Sequence, residues 1–285
     1  MSKVIIITGT STGLGISIAV QAAQAGHTVY ATMRNLEKRA ALDAATAAAG
    51  VSLNVIALDV QDGASVDAAV EAVMAKEGRI DVLINNAGVG FVRSTEQATE
   101  AEIDWVMDVN FMGVVRCTKA VMPHMRKARA GHIVSITSVG GLVGQPFNEI
   151  YCAAKFAVEG YVEGMASYIT PSFGINFTCV EPGGISTEFA SSVLKHVTET
   201  GGMREDEYLP ILQKYIGGAS TRQAGSDIYQ TADEVAAVVM QSVDAVEPPI
   251  RVRTSQWAEK FTALKTGLDP DGKKLQAKVV AQFLS

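Results

Sequence analysis

Two side chains four positions apart, Tyr151 and Lys155, have the types and the spacing for proton-transfer chemistry. Residues four apart lie on one face of a helix, so the phenol and the ammonium can approach each other. A free tyrosine has a pKa near about 10, and a neighbouring positive charge lowers it by favouring the phenolate. The pair therefore indicates a general acid and base. The alternative is a packed ring beside a lysine whose amine reaches solvent.

A glycine-rich turn follows the first apolar run of the chain, Val4 to Ile7, with the pattern T-G-x-x-x-G-x-G. Glycines permit a tight turn and close approach of a pyrophosphate, and the helix that follows offers free N–H groups at its start. A turn with only a structural role is the alternative, whereas a P-loop is excluded because no Gly-Lys-Ser/Thr follows. The predicted dinucleotide-binding residues are Gly9, Ser11, Thr12, Gly13, Leu14 and Gly15.

Short β-branched runs alternate with helical patterns through most of the chain. Continuously apolar runs of this length are typical of parallel strands that helices cover on both faces. We therefore predict an α/β fold, a doubly wound parallel sheet of the Rossmann type with about seven strands, in a single domain over residues 1–253. The alternation of strands and helices stops at about 183–230, a segment that we expect to cover the substrate. We predict that residues 254–285 form a C-terminal extension packed on this domain or on a partner subunit.

The composition excludes several classes of protein. Hydrophobic residues make up 48% and charged residues 19%, which fits a globular chain with a sizeable core. A net charge of −6 disfavours nucleic acids and anionic membranes as partners. Three widely spaced cysteines suit a reducing compartment, and no apolar stretch approaches the roughly 20 residues of a spanning helix, so we expect a cytoplasmic protein. Four scattered histidines lack metal-ligand spacing, so no metal is expected.

Three later segments join the glycine-rich turn in a fixed order: Asn85-Asn86-Ala87-Gly88, Ser138 thirteen residues before Tyr151, and Pro182-Gly183 with Thr187. Over roughly residues 3 to 253 this set resembles the short-chain dehydrogenase/reductase family, with its N-N-A-G, Ser and Y-x-x-x-K, and P-G-x-x-x-T motifs. The resemblance implies a nicotinamide-dependent oxidoreductase that interconverts a carbonyl and an alcohol.

The same resemblance assigns the site residues. The implied catalytic residues are Asn110, Ser138, Tyr151 and Lys155, with Ser138 bonding the substrate oxygen and Asn110 holding a water that relays protons to the lysine. Asp59 is expected to contact the adenine, and Lys155 the nicotinamide ribose. The implied cofactor-binding residues beyond the glycine-rich turn are Asp59, Val60, Asn86, Ala87, Gly88, Tyr151, Lys155, Pro182, Gly183, Ile185 and Thr187.

The end of the second apolar run bears on which cofactor is bound. Dinucleotide folds commonly carry an acidic residue there, which accepts hydrogen bonds from the ribose hydroxyls. Here Met33 stands in that place and Arg34 follows. A guanidinium binds a 2′-phosphate through charge-assisted hydrogen bonds, so we predict that NADP(H) is preferred, with NAD(H) possible. The alternative is a solvated charge near a helix start.

The covering segment and the region near the site contain many apolar residues, among them Phe91, Phe147 and Phe189. We expect a small, largely hydrophobic carbonyl or alcohol substrate, although these residues would also suit packing within the domain or a dimer. The family resemblance implies association through the helices that begin near Asn110 and carry Tyr151. Small residues along the second helix, such as Gly160 and Gly164, allow close approach, so a homodimer or homotetramer is expected. Competing functions are a non-catalytic cofactor-binding regulator, a related NAD-dependent dehydrogenase and a sugar epimerase or dehydratase.

Overall fold

The computed structural model describes residues 2–223 and 228–283, in which seven parallel strands form the central sheet. Their order across the sheet is β3-β2-β1-β4-β5-β6-β9, which confirms the predicted doubly wound α/β fold. The strands are β1 (Val4–Ile7), β2 (Thr28–Met33), β3 (Asn54–Ala57), β4 (Val82–Asn85), β5 (Gly131–Ile136), β6 (Ile175–Glu181) and β9 (Arg251–Arg253); β7 (Gly184–Ile185) and β8 (Tyr229–Gln230) pair separately.

Helices cover both faces of this sheet. The helices are α1 (Gly13–Gln24), α2 (Ala40–Ala49), α3 (Gly63–Glu77), α4 (Glu100–Met107), α5 (Gly113–Ala128), α6 (Glu149–Phe173), α7 (Glu188–Glu199), α8 (Leu209–Gln223), α9 (Ala232–Asp244), α10 (Gln256–Thr266) and α11 (Lys273–Phe283). No helix within the two described ranges combines the length and the apolar character needed to cross a membrane.

Alternate side chains of each central strand enter two separate cores. Ile6 of β1 packs with α3, α5 and α6 on one face, whereas Ile5 and Ile7 pack with α1 and α9 on the other. Because successive strand residues point to opposite faces, a strand covered on both sides must be apolar throughout. This geometry explains the uninterrupted run from Val4 to Ile7, all of which is buried.

Two element boundaries differ from those that the sequence pattern predicts, which are one helix over 36–49 and a third strand that ends at Asp59 and Val60. The helical pattern at 36–49 is divided, because a 3-10 turn over Leu36–Lys38 ends at Arg39 and α2 begins only at Ala40. The side chain of Asn35 caps the short turn by accepting a hydrogen bond from Glu37 N at 2.9 Å. The third strand ends at Ala57, so Asp59 lies in the turn beyond it, where its side chain accepts from Gln61 N at 3.0 Å.

The covering segment consists of β7, α7, α8 and β8, although its positions 224–227 lie outside the described residues. Side-chain hydrogen bonds fasten it to the loop after β4, residues 86–99. Arg93 Nη2 donates to Thr200 O at 2.9 Å, and Gln97 Nε2 donates to Asp206 Oδ2 at 2.7 Å. Tyr208 donates its hydroxyl proton to Glu96 at 2.7 Å.

The described part of the C-terminal extension, up to residue 283, packs on the same chain; residues 284 and 285 lie outside the described ranges. A Cβ added at Gly183 would lie only 3.0 Å from the Trp257 ring, so α10 presses on the loop after β6. Further along, Gln276 of α11 donates to Ala166 O of α6 at 2.6 Å. The extension therefore supports a loop that belongs to the predicted cofactor site.

Candidate active site

The glycine-rich turn leaves no room for side chains. Gly9 has φ of +70°, and a Cβ there would lie 2.7 Å from Ala87 Cα. A Cβ at Gly15 would lie 2.3 Å from Gly9 O. The turn leads directly into α1, whose N-cap Thr12 makes no side-chain capping hydrogen bond. Since the first N–H groups of a helix lack intrahelical acceptors, this end of α1 can bind an anion such as a pyrophosphate.

Asn86 and Thr8 hold the glycine-rich turn against the end of β4. Asn86 Nδ2 donates to the carbonyl oxygens of Thr8 and Gly9, both at 2.9 Å. In the other direction, Thr8 Oγ1 accepts from the backbone N–H groups of Asn86 and Ala87 at 3.0 Å. The two motifs thus form one unit at the carboxyl ends of β1 and β4, the edge where open α/β sheets bind ligands. Thr8 was not among the predicted site residues.

The residues predicted to select the cofactor lie at the same edge. Met33 is the last residue of β2 and only 2% exposed, so it packs in the core. Arg34 follows it, is exposed, and makes no ion pair within the described part of the chain. The free guanidinium and the absence of a carboxylate at Met33 suit a 2′-phosphate. Val60, after β3, is buried and accepts from Arg116 Nη1 through its carbonyl at 3.1 Å.

Three residues spaced one turn apart on α6 bind three consecutive residues at the end of β5. The hydroxyls of Tyr151 and Ser138 hydrogen-bond to each other. Lys155 Nζ donates to Ile136 O at 2.9 Å. One turn later on α6, Glu159 accepts a hydrogen bond from the hydroxyl of Thr137. The spacing of four along α6 therefore aligns the phenol, the ammonium and the strand end.

The charges in this cluster are governed by burial. Desolvation raises the pKa of Tyr151 to about 12, while the hydrogen bond with Ser138 acts in the opposite direction. Desolvation also lowers the pKa of Lys155 to about 8. The expectation that the ammonium lowers the pKa of Tyr151 is therefore wrong for the chain alone. The amine lies 5.7 Å from the centre of the Tyr151 ring, and burial is the largest influence on the pKa of the phenol.

Asn110 lies in a π-helical turn, Asp108–Met112, between α4 and α5. Its amide pairs with the backbone of Val89, because Oδ1 accepts from Val89 N at 3.0 Å and Nδ2 donates to Val89 O at 2.9 Å. Gly88 lies beside it: an added Cβ would be 2.9 Å from Asn110 Oδ1 and 3.5 Å from Lys155 Nζ. The structure therefore brings Asn110, Gly88 and Lys155 together. Such π turns frequently occur at functional sites.

The loop after β6 closes the other side of the site. Pro182 O accepts from Val139 N at 2.9 Å, which places this loop beside Ser138. Ile185 lies in β7, and Thr187 caps α7 by accepting from Phe189 N at 3.3 Å. A Cβ added at Gly13 would lie 3.1 Å from Thr187 Cβ, so this loop reaches the glycine-rich turn. The predicted site residues of Pro182 to Thr187 thus lie around the same space.

Two acidic residues near this cluster were not singled out from the sequence. Glu159 is the side chain that binds Thr137, which donates to Glu159 Oε1 at 2.6 Å. Glu181 is the fully buried last residue of β6. The spacing Tyr151, Lys155, Glu159 is a sequence signal for the first, since four-residue steps share a helix face. The described residues contain no group of three or more His, Cys, Asp or Glu that could hold a metal ion.

Comparison with known proteins places the chain in a family. Residues 3–198 match the family model for short chain dehydrogenases. The chain is 38% identical to retinol dehydrogenase 8 of Bos taurus, over 95% of this chain and 86% of that protein. It is 35% identical to the 3-ketodihydrosphingosine reductase of Bacteroides thetaiotaomicron, over 94% of each, and 38% identical to human 17-beta-hydroxysteroid dehydrogenase type 1, over 89% and 77%. The protein belongs to the short-chain dehydrogenase/reductase family.

Solved structures agree with this membership. A short-chain dehydrogenase from Streptomyces avermitilis is 30% identical, with a TM-score of 0.76 over 99% of this chain and 96% of that one. An actinorhodin polyketide ketoreductase solved with NADPH is 28% identical, with a TM-score of 0.69 over 84% and 89%. A family member from Burkholderia phymatum in complex with NAD is 25% identical, with a TM-score of 0.78 over 96% and 95%. Both nicotinamide dinucleotides therefore occur among these neighbours.

Proposed function

We propose that this oxidoreductase is an NADP(H)-dependent alcohol dehydrogenase or carbonyl reductase that acts on hydrophobic substrates. The observation that carries the proposal is the alignment of Ser138, Tyr151 and Lys155 at the end of β5, beside the glycine-rich turn. A regulator that had lost catalysis would not need this set, and here all three groups are present and in contact with one strand end.

The chemistry follows from the state of each group. A bound nicotinamide cofactor supplies or accepts the hydride. Tyr151, with its pKa raised to about 12, holds its proton at neutral pH and donates it to the carbonyl oxygen during reduction. Ser138 donates a hydrogen bond to the same oxygen and stabilises the negative charge that develops there. Oxidation is the reverse step, in which the phenolate form of Tyr151 accepts the proton of the alcohol.

The residues present fit NADP(H). The glycine-rich turn, in which Gly9 and Gly15 have no room for a Cβ, leads into the uncapped N-terminus of α1, which can bind a pyrophosphate, and Arg34 offers a free guanidinium beyond β2. Asp59 and Val60 follow the neighbouring strand, on the side where the resemblance expects the adenine. Since solved neighbours bind either dinucleotide, support for NADP(H) rests on Arg34 and on the buried Met33.

An apolar substrate is supported by exposed apolar side chains of the covering segment. Phe189 of α7, whose ring lies 6.1 Å from the ring of Tyr151, is 43% exposed, and Leu194 of α7 and Ile211 of α8 are 54% and 57% exposed. The printed names of the relatives are also consistent, since retinol, hydroxysteroids and 3-ketodihydrosphingosine are largely hydrophobic. Exposed apolar groups near a reactive centre favour such molecules over charged ones.

We also propose that the protein is a cytoplasmic homodimer or homotetramer. Along α6, Gly160 and Gly164 are exposed, together with Phe156 and Tyr168, which are 41% and 47% exposed. Of the small residues along this helix, Ala154 and Ala166 are fully buried against the chain itself and cannot serve a partner. All three cysteines are free, which fits a reducing compartment. Light scattering that detected only monomer would contradict the assembly.

A carbonyl panel with two tyrosine variants tests the function. NADPH absorbance would be followed with ketones and aldehydes graded from small to steroid-sized. The Tyr151→Phe variant should lose at least about 100-fold in turnover with little change in NADPH affinity, since general acid catalysis contributes on that scale. Tyr168→Phe, on the exposed side of the same helix, is the matched control. Full turnover by Tyr151→Phe, or NADPH binding by the native protein without reduction of any carbonyl, would refute the proposal.

A further inference from the structure

Two carboxyl groups meet beneath the Tyr151–Lys155 pair. Glu181 is the last residue of β6 and is 0% exposed, and the carboxyl of Glu159 on α6 binds Thr137 just beyond β5. Thr137 Oγ1, which binds Glu159 Oε1, also lies 3.1 Å from Val180 O, so the Glu159 carboxyl lies beside the strand end that carries Glu181. An ionised carboxylate can only accept hydrogen bonds, so two adjacent carboxyl groups can bond to each other only if one of them holds a proton.

Neighbours of the pair come from β5, β6, β9 and α6. From β5, Thr137 donates to Glu159 Oε1 at 2.6 Å, and from β6 the thiol of Cys179 hydrogen-bonds to Glu159. From β9, Arg253 Nη1 donates to Glu181 Oε2 at 3.2 Å. The remaining charges are Lys155 on α6 and Arg251 on β9; Arg251 is paired with Glu163, and Arg253 is shared with Glu259 of α10.

One oxygen of the pair lacks a protein donor. Glu181 Oε1 is buried and, within the described part of the chain, receives no hydrogen bond from any N–H or from any hydroxyl or thiol. An unsatisfied buried acceptor is costly, and two adjacent buried carboxylates repel each other. A single proton held between Glu159 and Glu181 removes both problems. Burial raises the pKa of both groups, in agreement with a retained proton.

We propose that Glu159 and Glu181 share one proton, and that the resulting singly charged pair positions Lys155 and keeps its ammonium charged. The role of Lys155 rests on the proposed function, whereas the shared proton does not. Lys155 binds Ile136 O and Glu159 binds Thr137, so the two side chains are fixed to adjacent residues of one strand end. The negative charge of Glu159 also supports the ammonium of Lys155 against the cost of burial. Glu159 and Glu181 act here as positioning residues.

Infrared spectroscopy tests the shared proton without any substrate. At neutral pH, ordinary carboxyl groups are ionised, so a carboxylic-acid carbonyl band marks a proton held by a buried group. We expect this band in the native protein and its loss in both Glu159→Gln and Glu181→Gln, because the remaining glutamate then ionises alone. Absence of the band from the native protein, or its persistence in both variants, would overturn the proposal.

The pH dependence of NADPH-driven carbonyl reduction tests the effect on Lys155. If the pair carries one negative charge, either single glutamine variant keeps that charge, and the alkaline limb should move by less than about 0.3 pH units. The double variant removes the charge, lowers the pKa of Lys155, and should move the limb downward by about one pH unit. A downward shift of the limb in each single variant would contradict the proposal, because it would mean that the native pair carries two charges. Absence of a shift in the double variant would also contradict it, because the charge of the pair would then have no effect on Lys155.

Controls keep these outcomes distinct. Glu247→Gln removes a carboxylate from the exposed ion pair with Lys273, away from the buried carboxyl groups, and it should change neither readout. Because the double variant leaves the buried Arg253 without Glu181, a triple variant that adds Arg253→Met serves if the double variant does not fold. If the native protein reduces no carbonyl, the proposed function fails, and the infrared band still decides whether the proton is shared.

Discussion

The ring of Phe189 stands edge-on to the ring of Tyr151, with 6.1 Å between the ring centroids and 61° between the ring planes. Phe189 belongs to α7, so this contact joins the covering segment to the predicted proton donor. The same helix leans on the loop after β4, where a Cβ added at Gly90 would lie 2.8 Å from the Phe189 ring and 2.3 Å from Val193 Cγ2. The covering segment therefore forms one wall of the reacting space.

Replacing this wall should weaken the binding of large substrates. We expect Phe189→Ala to raise KM for an extended apolar ketone roughly tenfold, about 1.4 kcal/mol, because part of an aromatic contact surface is lost. KM for a very small ketone should change little. Steady-state kinetics with both substrates checks this, with Leu194→Ala on the same helix for comparison. Equal changes for small and large ketones would show that Phe189 acts on something other than substrate contact.

Arg34 should discriminate between the two cofactors. Loss of its charge-assisted hydrogen bonds costs about 1.5–3 kcal/mol, so Arg34→Ala should raise KM for NADPH roughly 10- to 100-fold. KM for NADH should hardly change, because NADH has no 2′-phosphate. The matched variant is Arg39→Ala, an exposed arginine nearby that is already paired with Asp43. Similar effects of Arg34→Ala on both cofactors would contradict the assignment.

Burying Lys155 should cost stability near neutral pH. Its folded pKa is lowered to about 8, below the ordinary value of 10.5, so the unfolded chain binds more protons between these two values. Stability due to this group therefore rises as pH increases from about 8 to about 10.5. We expect Lys155→Met to be inactive yet to unfold at a higher temperature than the native protein near pH 7.

The pH dependence of that gain separates the charge from simple packing. Thermal unfolding at about pH 7 and about pH 9.5 should show the advantage of Lys155→Met shrinking at the higher pH, as the native lysine loses its proton. Each kcal/mol corresponds to about 2–4 °C in a domain of this size. An advantage that stayed constant across the pH range would show that desolvation of the ammonium is not its cause.

Gly15 should not tolerate a side chain. A Cβ would lie 2.3 Å from Gly9 O and 2.7 Å from Asn86 Nδ2, both parts of the unit that joins the turn to β4. We expect Gly15→Ala to lower the unfolding temperature and to abolish NADPH binding. Gly63→Ala, at the start of α3 with open space around it, should be neutral or slightly stabilising. Calorimetry of the two variants with and without NADPH measures the difference.

Features that depend on local pattern were predictable from the sequence. Buried parallel strands must be apolar on both faces, so runs such as Val4 to Ile7 identified the sheet. The spacing of Tyr151 and Lys155 defined one helix face, and the ordered motifs placed Ser138 and Asn110 beside it. All of these relations are carried by residues near in sequence or by motifs in a fixed order.

Features that depend on distant contacts were not predictable. No glycine or proline marks the break at Arg39, and no local pattern indicates the π-helical turn around Asn110. The contact between Glu159 and Glu181 joins a helix to a strand, and only the fold brings the two together. The direction of the Tyr151 pKa shift was misjudged because the spacing shows the neighbouring charge and not the loss of water.

The fastening of the covering segment has an evolutionary consequence. The segment between α7 and α8 is held by exchangeable side-chain pairs, Gln97 with Asp206 and Tyr208 with Glu96, whereas Ser138, Tyr151 and Lys155 stand at the end of β5 and on α6. Apart from Phe189, which contacts Tyr151, the outer helices can thus accumulate mutations without disturbing the predicted proton-transfer groups. Descendants of such a chain can acquire new substrates while inheriting the same reaction.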